Sequence, residues 1–215
     1  MVLFDENNLS PIRRRTLERI EDAALKLYRK KMFPSPKEIA EEADYAKITL
    51  RSYFKTHNEF VEHVVKQVIG SFIAPKMGSD AEENVEKLLK WGYGQIEEYE
   101  ALMRDALRIS QLRWQEMASD EENNGHASFT KKSNRKESLS LALEPLKNQI
   151  NDDTVHKLVM LLSVLYGTEA MVVLKDTFHL ENDEIINLTT WAAKLIIRQA
   201  IIEDEKLSMD NFPHT

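Results

Sequence analysis

Three polar side chains, Lys47, Thr49 and Arg51, lie at alternate positions of one short segment. Lysine and arginine donate hydrogen bonds to phosphate oxygens and to the acceptor edge of guanine, and a threonine hydroxyl both donates and accepts. Further polar groups stand nearby at Ser35 and Lys37. The chemistry that this cluster offers is recognition of a polar, anionic partner rather than bond cleavage.

Other chemistries have little support in the sequence. The chain has no cysteine, which excludes disulfides, thiolate metal ligands and thiol nucleophiles. Gly92 and Gly94 lie within a helical pattern with no strand before them and no P-loop lysine after them, so they do not form a phosphate loop. Residues 120–131 lack the closing glutamate of a calcium loop, and His126 has no ligand-spaced partner. We therefore expect a protein that is not an enzyme and uses no cofactor or metal.

The elements that must position the polar cluster are helices. Glycine and proline occur only 6 times each, and apolar residues recur at helical spacing almost throughout, which predicts an all-α fold. The spacing predicts a first helix over 12–31. Ser35 is placed to cap a second helix with Pro36 at its first position, and Glu38 can complete a capping box.

A turn at 44–46 and a third helix over 47–54 follow, with Leu50 and Phe54 facing inward. Further helices are predicted over about 58–74, 79–99, 101–117, 135–149 with a kink at Pro145, 152–175 and 182–203. Residues 119–134 form the one long polar stretch and are expected to be a loop.

Charge is distributed unevenly along the chain. Residues 1–57 contain 12 Lys/Arg and 9 Asp/Glu, a net charge of +3, whereas the remainder contains 17 and 27, a net charge of −10. A basic N-terminal part on an acidic body is typical of a modular DNA-binding protein, because neutralising phosphates supplies most non-specific affinity. A solvated, charged helix face is the alternative.

Two short capped helices joined by a tight turn predict a helix-turn-helix. Residues 20–61 moreover resemble the N-terminal domain of the TetR (tetracycline repressor) family of transcription regulators. The matching residues are Ile20, Ala23, Ala24, Leu27, Tyr28, Ile39, Ala40, Ala43, Thr49, Leu50, Tyr53, Phe54, Asn58, Glu59 and Phe60. The chain departs from the family pattern at Met32, Asp44, Ile48, Arg51 and His57.

The resemblance implies an N-terminal three-helix DNA-binding domain over 10–57 and a helical effector-binding and dimerisation domain over 58–205. The third helix would enter the major groove of DNA with its outward residues on base edges. The residues expected to face outward are Ala46, Lys47, Ile48, Thr49, Arg51 and Tyr53. Phosphates would be held by Tyr53 and His57, and by Ser35 and Lys37 at the start of the second helix. The candidate DNA-binding residues are Arg13, Arg14, Ser35, Lys37, Ala46, Lys47, Ile48, Thr49, Arg51, Tyr53 and His57.

The segment from Leu158 to Leu174 and the last helix are apolar on more than one side, so each needs cover on two faces. We expect the two C-terminal helices to form a two-fold homodimer interface, where the resemblance also places it. A helix buried within a monomer is the alternative. A two-fold dimer would present two recognition helices and therefore bind a palindromic operator.

The middle helices are rich in aromatic residues and methionine, which suit a mostly apolar pocket for a small apolar or amphipathic effector. Ordinary core packing is the alternative for each residue. The candidate effector-binding residues are Trp91, Tyr99, Met103, Trp114, Met117, Met160 and Tyr166.

The sequence therefore predicts a cytoplasmic, ligand-responsive DNA-binding regulator, most simply a repressor, that binds its operator as a dimer. No signal peptide or membrane-spanning segment is expected. A dimeric helical module that has lost sequence-specific DNA binding is the alternative function, and the departures at Asp44 and Arg51 favour it.

Overall fold

The structure is a computed structural model that describes residues 9–30, 32–71, 74–119 and 134–210. Every regular element in this part of the chain is helical, as the apolar spacing predicts. The predicted loop over 119–134 lies almost wholly outside the described residues. The helices are α1 (Pro11–Arg29), α2 (Pro36–Glu42), α3 (Lys47–Arg51), α4 (His57–Ser71), α5 (Ala81–Glu98), α6 (Glu100–Ser119), α7 (Asn134–Ala142), α8 (Asp152–Leu165), α9 (Thr168–Phe178) and α10 (Asn182–Asp210), with a short 3-10 helix, Glu144–Asn148, between α7 and α8.

Side chains near the helix starts satisfy backbone groups that the helices leave unpaired. The Ser35 hydroxyl accepts from the backbone N–H of Glu38 at 3.3 Å, and the Glu38 carboxylate accepts from the N–H of Ser35 at 2.7 Å. The predicted capping box is thus confirmed. At α5 the cap is Asp80, which accepts from the N–H of Glu83 at 2.8 Å, so this helix begins at Ala81, two residues after the predicted start.

The described residues form two compact units. Those between 9 and 71 and between 98 and 119 make up the first unit, and those between 74 and 97 and between 134 and 210 make up the second. The first unit therefore holds α1–α4 with α6, and the second holds α5 with α7–α10. This division does not coincide with the predicted domain boundary at residue 57, because α4 and α6 pack with each other.

The first unit is built around α1, whose buried face contacts α2 and α6. The apolar residues whose spacing predicts this helix form its buried face, since Ile20, Ala24 and Leu27 are all buried. The buried hydroxyl of Tyr28 donates to Asp105 of α6 at 2.6 Å. Burial and this carboxylate together raise the pKa of Tyr28 far above its ordinary value, so the phenol stays protonated and keeps donating.

Ion pairs add to the packing of the first unit. Arg108 binds the other oxygen of Asp105 at 2.7 Å, which leaves that buried carboxylate fully compensated. His63 of α4 pairs with Glu21 of α1. The three helices α1, α4 and α6 are therefore joined by polar contacts as well as by apolar ones.

The second unit has its own hydrophobic core, formed by one face of each of its helices. Leu88 and Leu89 of α5 are fully buried, as are Leu158 of α8, Met171 of α9 and Ile197 of α10. The remaining buried members are Ala81, Val85, Tyr93, Leu139, Ala142, Leu143, Leu146, Ile150, Val155, Val159, Leu162, Tyr166, Ile185 and Ala193.

The predicted helix over 135–149 is divided near its proline. Helix α7 ends at Ala142, and Pro145 lies in the first turn of the 3-10 helix, where a missing N–H costs no hydrogen bond. The predicted disruption at Pro145 is thus confirmed as a change of helix type.

The predicted continuous helix over 152–175 is wrong, because Tyr166 and Gly167 separate α8 from α9. Gly167 has a φ of +142°, a conformation that L side chains rarely adopt. A Cβ at this position would also lie 2.2 Å from the Arg135 guanidinium. Gly167 therefore allows a bend of 45° between α8 and α9. It is not needed there to bring two helices close together.

The bend directs the side chain of Tyr166 into the core of the second unit. Its ring lies so close to Gly92 of α5 that a Cβ there would be 2.2 Å from a ring carbon. The Tyr93 ring meets the same tyrosine edge-on, with 6.3 Å between the centroids. Gly92 is thus required by its packing against Tyr166.

Replacing Gly92 with alanine should destabilise the second unit by about 1–3 kcal/mol, since the added methyl group must displace a buried aromatic ring. Urea unfolding of the full chain, at one fixed protein concentration, measures this change. Gly94 on the same helix is the matched control, because a Cβ there meets nothing within 4 Å. Its replacement with alanine should raise stability by about 0.5–1 kcal/mol. Equal destabilisation by both variants would contradict the packing argument.

Candidate nucleic-acid interface

The segment joining α2 to α3 is a tight turn with a left-handed residue at its centre. Asp44 has a φ of +60°, and its N–H bonds to the carbonyl of Glu41 at 3.1 Å. The N–H of Tyr45 reaches the carbonyl of Ala40 at 2.9 Å. Aspartate tolerates this conformation better than most side chains. The chain thus reverses within three residues and starts α3 at Lys47.

Apolar side chains hold α3 against the rest of the first unit. Leu50 and Phe54 are buried, as predicted from their spacing. The Phe54 ring packs edge-on against Phe60 of α4, with 5.3 Å between the centroids, and at a tilt against His63, with 5.0 Å between the centroids. These contacts fix which face of α3 points inward.

The opposite face of α3 is open to solvent. Lys47, Ile48 and Arg51 are exposed, Ala46 before them is exposed, and Thr49 is half-buried. Ile48 is 70% exposed, an unusual position for a large apolar side chain. Five of the six residues that the sequence predicts to face outward therefore do so, Thr49 in part.

Tyr53 departs from the prediction that it faces outward. The structure ends α3 at Arg51, and Tyr53 turns inward until it is 4% exposed. Its hydroxyl donates to the backbone carbonyl of Arg13 at 2.9 Å. The Arg13 guanidinium lies over the Tyr53 ring, 4.9 Å from the centroid, and donates to the carbonyl of Ser52 at 3.1 Å. Tyr53 thus fastens the start of α1 beside the end of α3.

His57, also a predicted phosphate contact, begins α4 half-buried rather than exposed. Its ring lies 6.4 Å from Phe60, and its Nδ1 is among the buried polar atoms of the described residues that lack a hydrogen-bond partner. Burial lowers the pKa of His57, although the charge of Asp105 opposes the shift. A neutral, half-buried imidazole is a weak partner for a phosphate.

Basic groups near α1 and α2 remain on the surface. Arg13, Arg14 and Arg15 are exposed in the first turns of α1. Ser35 and Lys37 are exposed at the start of α2, the serine oxygen acting as the cap. These positions keep the predicted phosphate contacts available.

The sequence did not indicate the pairing of Arg19 with Tyr45. The guanidinium lies 5.2 Å from the ring centroid, and one of its nitrogens is 3.4 Å from the phenolic oxygen. The contact ties α1 to the turn before α3. The signal for this contact in the sequence is an aromatic residue directly after the aspartate of the turn. That signal does not identify Arg19, because the two residues are 26 positions apart.

The predicted effector residues are divided between the two units. Tyr99, Met103 and Trp114 belong to the first, where Tyr99 binds Arg29 at 2.9 Å, Met103 is buried and Trp114 is exposed. The Met117 side chain lies outside the described residues. The members in the second unit are Trp91, which is partly buried, Met160, which is exposed, and Tyr166, which is buried.

A groove of about 460 Å³ lies between α5 and α10 of the second unit, and none of these predicted residues lines it. Its rim carries an ion pair between Glu86 and Lys194, together with Lys90 and Asp183. The hydroxyl of Thr190 on its wall is buried and has no hydrogen-bond partner. Ile186, Asn187 and Trp191 complete the lining.

The second unit exposes large apolar side chains on α8 and α10, two helices that contact each other. Val164 is 72% exposed and Trp191 is 61% exposed. The other exposed apolar residues of these helices are Met160, Leu161, Leu188, Leu195, Ile202 and Leu207. We call this set, with Val164 and Trp191, the apolar face. Monomeric proteins rarely expose so many large apolar groups on adjoining elements.

By length and composition alone, the segment Asn182–Leu207 of α10 could cross a membrane, and so could α8 and α9 taken as one bent span. A helix that packs into a protein core passes the same test. One face of α10 packs into the core through Ile185, Ala193 and Ile197, and 22% of its apolar window is buried. Arg198 on it forms a two-pronged ion pair with Glu82 of α5 at 2.7 and 2.8 Å.

Comparison of the chain with protein-family models, with curated proteins and with solved structures found no match. Among the described residues, no group of three or more histidine, aspartate and glutamate side chains could hold a metal ion. The candidate interface therefore rests on its own geometry and on the resemblance of residues 20–61.

The pH dependence of stability should depend on His57. Because burial lowers its folded pKa, the unfolded chain binds a proton more readily, and stability should fall as pH drops below the ordinary histidine value of about 6.5. Urea unfolding between pH 7.5 and 5.5 measures this loss, and His57→Gln should reduce it. His156→Gln, at an exposed position of α8, is the control. Identical pH profiles for the parent and His57→Gln would contradict the argument.

Proposed function

We propose that this chain is a TetR-type transcription regulator, a homodimer that binds double-stranded DNA through α3 and responds to a small-molecule effector. The observation that carries the proposal is the arrangement of α2, the Asp44 turn and α3. One face of α3 is held by Leu50, while Lys47 and Arg51 are presented to solvent. A recognition helix in a helix-turn-helix needs this division between a packed face and an outward face.

Charge supports DNA as the partner. The basic residues that flank α3 come from α1 and α2, in the part of the chain with a net charge of +3. Arg13 is held beside the end of α3 by its contacts with Tyr53 and Ser52. A guanidinium held in this way follows a phosphate backbone at a lower entropic cost than a free one.

The apolar face supports the homodimer. The sequence predicts that α8 and α10 are each covered on two faces. In the structure, one set of their apolar residues is buried in the core and another set is exposed. Leu158 and Ile185 belong to the first set, and Val164 and Trp191 belong to the second. A second copy related by a two-fold axis would cover the same residues on both chains. The two recognition helices of the dimer would then bind a palindromic DNA site.

The groove between α5 and α10 supports an effector. It offers an indole, a buried hydroxyl without a partner and charged groups of both signs, which suit a small amphipathic molecule. A ligand regulates DNA binding only if it binds one dimer geometry more tightly than another. Repression relieved by such a ligand is the simplest form of this coupling.

A dimeric module without sequence-specific DNA binding is the second candidate. The observation that favours it is the inward position of Tyr53 and His57, because two expected phosphate contacts are not offered. The two candidates differ in whether the chain selects a DNA sequence.

DNA binding is tested by enrichment of randomised duplexes on the full chain, followed by fluorescence anisotropy with an enriched duplex at fixed salt. We expect a palindromic sequence to emerge. Lys47→Ala and Thr49→Ala should each weaken binding by on the order of ten-fold, because a good base contact contributes about 1–3 kcal/mol. Far-UV circular dichroism should show unchanged helicity, since both side chains project away from the packed face of α3.

Lys136→Ala is the matched control for charge, because Lys136 is exposed on α7 of the other unit. It should bind the duplex as tightly as the parent. Failure to enrich any sequence would favour the second candidate, and parent-like affinity in both α3 variants would remove this helix from the interface.

Dimerisation is tested by sedimentation at micromolar concentration, where the parent should have twice the chain mass of 25.0 kDa. Trp191→Glu and Val164→Glu should each shift the mass to that of one chain, because a buried, unpaired carboxylate costs several kcal/mol. Trp114→Glu, at an exposed tryptophan of α6, should leave the dimer intact. A parent of monomeric mass would refute the proposed interface.

A further inference from the structure

Ile48 is exposed at the centre of the proposed recognition surface. It follows Lys47, precedes Thr49, and lies one turn before Arg51, so polar groups surround it. With 3.6 residues per turn, it points about 200° around the helix axis from the buried Leu50. Nothing in the packing of α3 therefore uses its side chain.

A branched apolar side chain gives up about 1.5–3 kcal/mol of burial free energy when it stays in water. Isoleucine has no side-chain donor or acceptor, so it cannot bind a phosphate or the polar edge of a base. A partner that binds this face of α3 must therefore combine an anionic surface, which suits Lys47 and Arg51, with an isolated apolar group that suits Ile48. Duplex DNA meets both requirements, because the thymine 5-methyl is the apolar group of the major groove.

We infer that Ile48 contacts the 5-methyl group of a thymine and so selects thymine at one position of each half-site. The inference rests on the proposed function and adds a base preference to it. Lys47 and Arg51 on either side supply hydrogen bonds to neighbouring bases or phosphates. Ile48 distinguishes thymine from the other bases only by shape and by burial of the 5-methyl group.

The test is a deoxyuridine scan of the duplex enriched by the full chain. Deoxyuridine lacks only the 5-methyl group, so replacing each thymine symmetrically in both half-sites removes one apolar contact and no hydrogen bond. One thymine position should show a loss of affinity of about four-fold per half-site, the value expected for one buried methyl group. Fluorescence anisotropy at fixed salt measures it.

The Ile48→Ala variant identifies the residue responsible. It should bind the thymine duplex more weakly than the parent and should bind the thymine and deoxyuridine duplexes equally at that position. Ile48→Val, which keeps a branched apolar group, should retain most of the preference. Leu141→Ala, at an exposed position of α7, is the control and should keep the full preference.

The outcomes separate this inference from the proposal beneath it. A chain that enriches a duplex but tolerates deoxyuridine at every position overturns the thymine contact and leaves DNA binding intact. A preference that persists in Ile48→Ala overturns the role of Ile48. A chain that enriches no duplex overturns the thymine contact together with the proposed function.

Discussion

The left-handed conformation at Asp44 sets the direction in which the chain leaves α2, and the surface presented by α3 depends on that direction. With φ at +60°, the chain turns back sharply enough for Leu50 to reach the core of the first unit. Ile48 must then point away from it. Asp44 carries this backbone strain, and its turn decides which side chains of α3 are available.

Local features of the fold followed from the sequence, whereas features set by distant contacts did not. The capping box at Ser35 and the inward face of α3 depend on residues within one or two turns of each other. The break at Gly167 depends on Arg135 and on the fit of Tyr166 against Gly92, far away in sequence. No periodicity within α8 and α9 contains that information.

The candidate site shows the same limit. The outward direction expected for Tyr53 assumed that α3 continues to Phe54, and the helix ends at Arg51 instead. The prediction of effector residues depends on side-chain type, and type alone does not distinguish a cavity wall from a core or a surface. Met103 is buried and Trp114 is exposed although both suited an apolar pocket equally well. The groove between α5 and α10 has a charged rim, whereas the predicted residues are aromatic or methionine.

The brevity of α3 has a consequence for how much sequence one chain can specify. A helix of five residues is about 7.5 Å long and spans little more than two base-pair steps. One such helix distinguishes too few base pairs to select a single site among millions of competing sites in a genome. Pairing two copies squares the number of sequences that can be distinguished. In the proposed function, the apolar face of the second unit thus contributes to specificity as much as the recognition helix does.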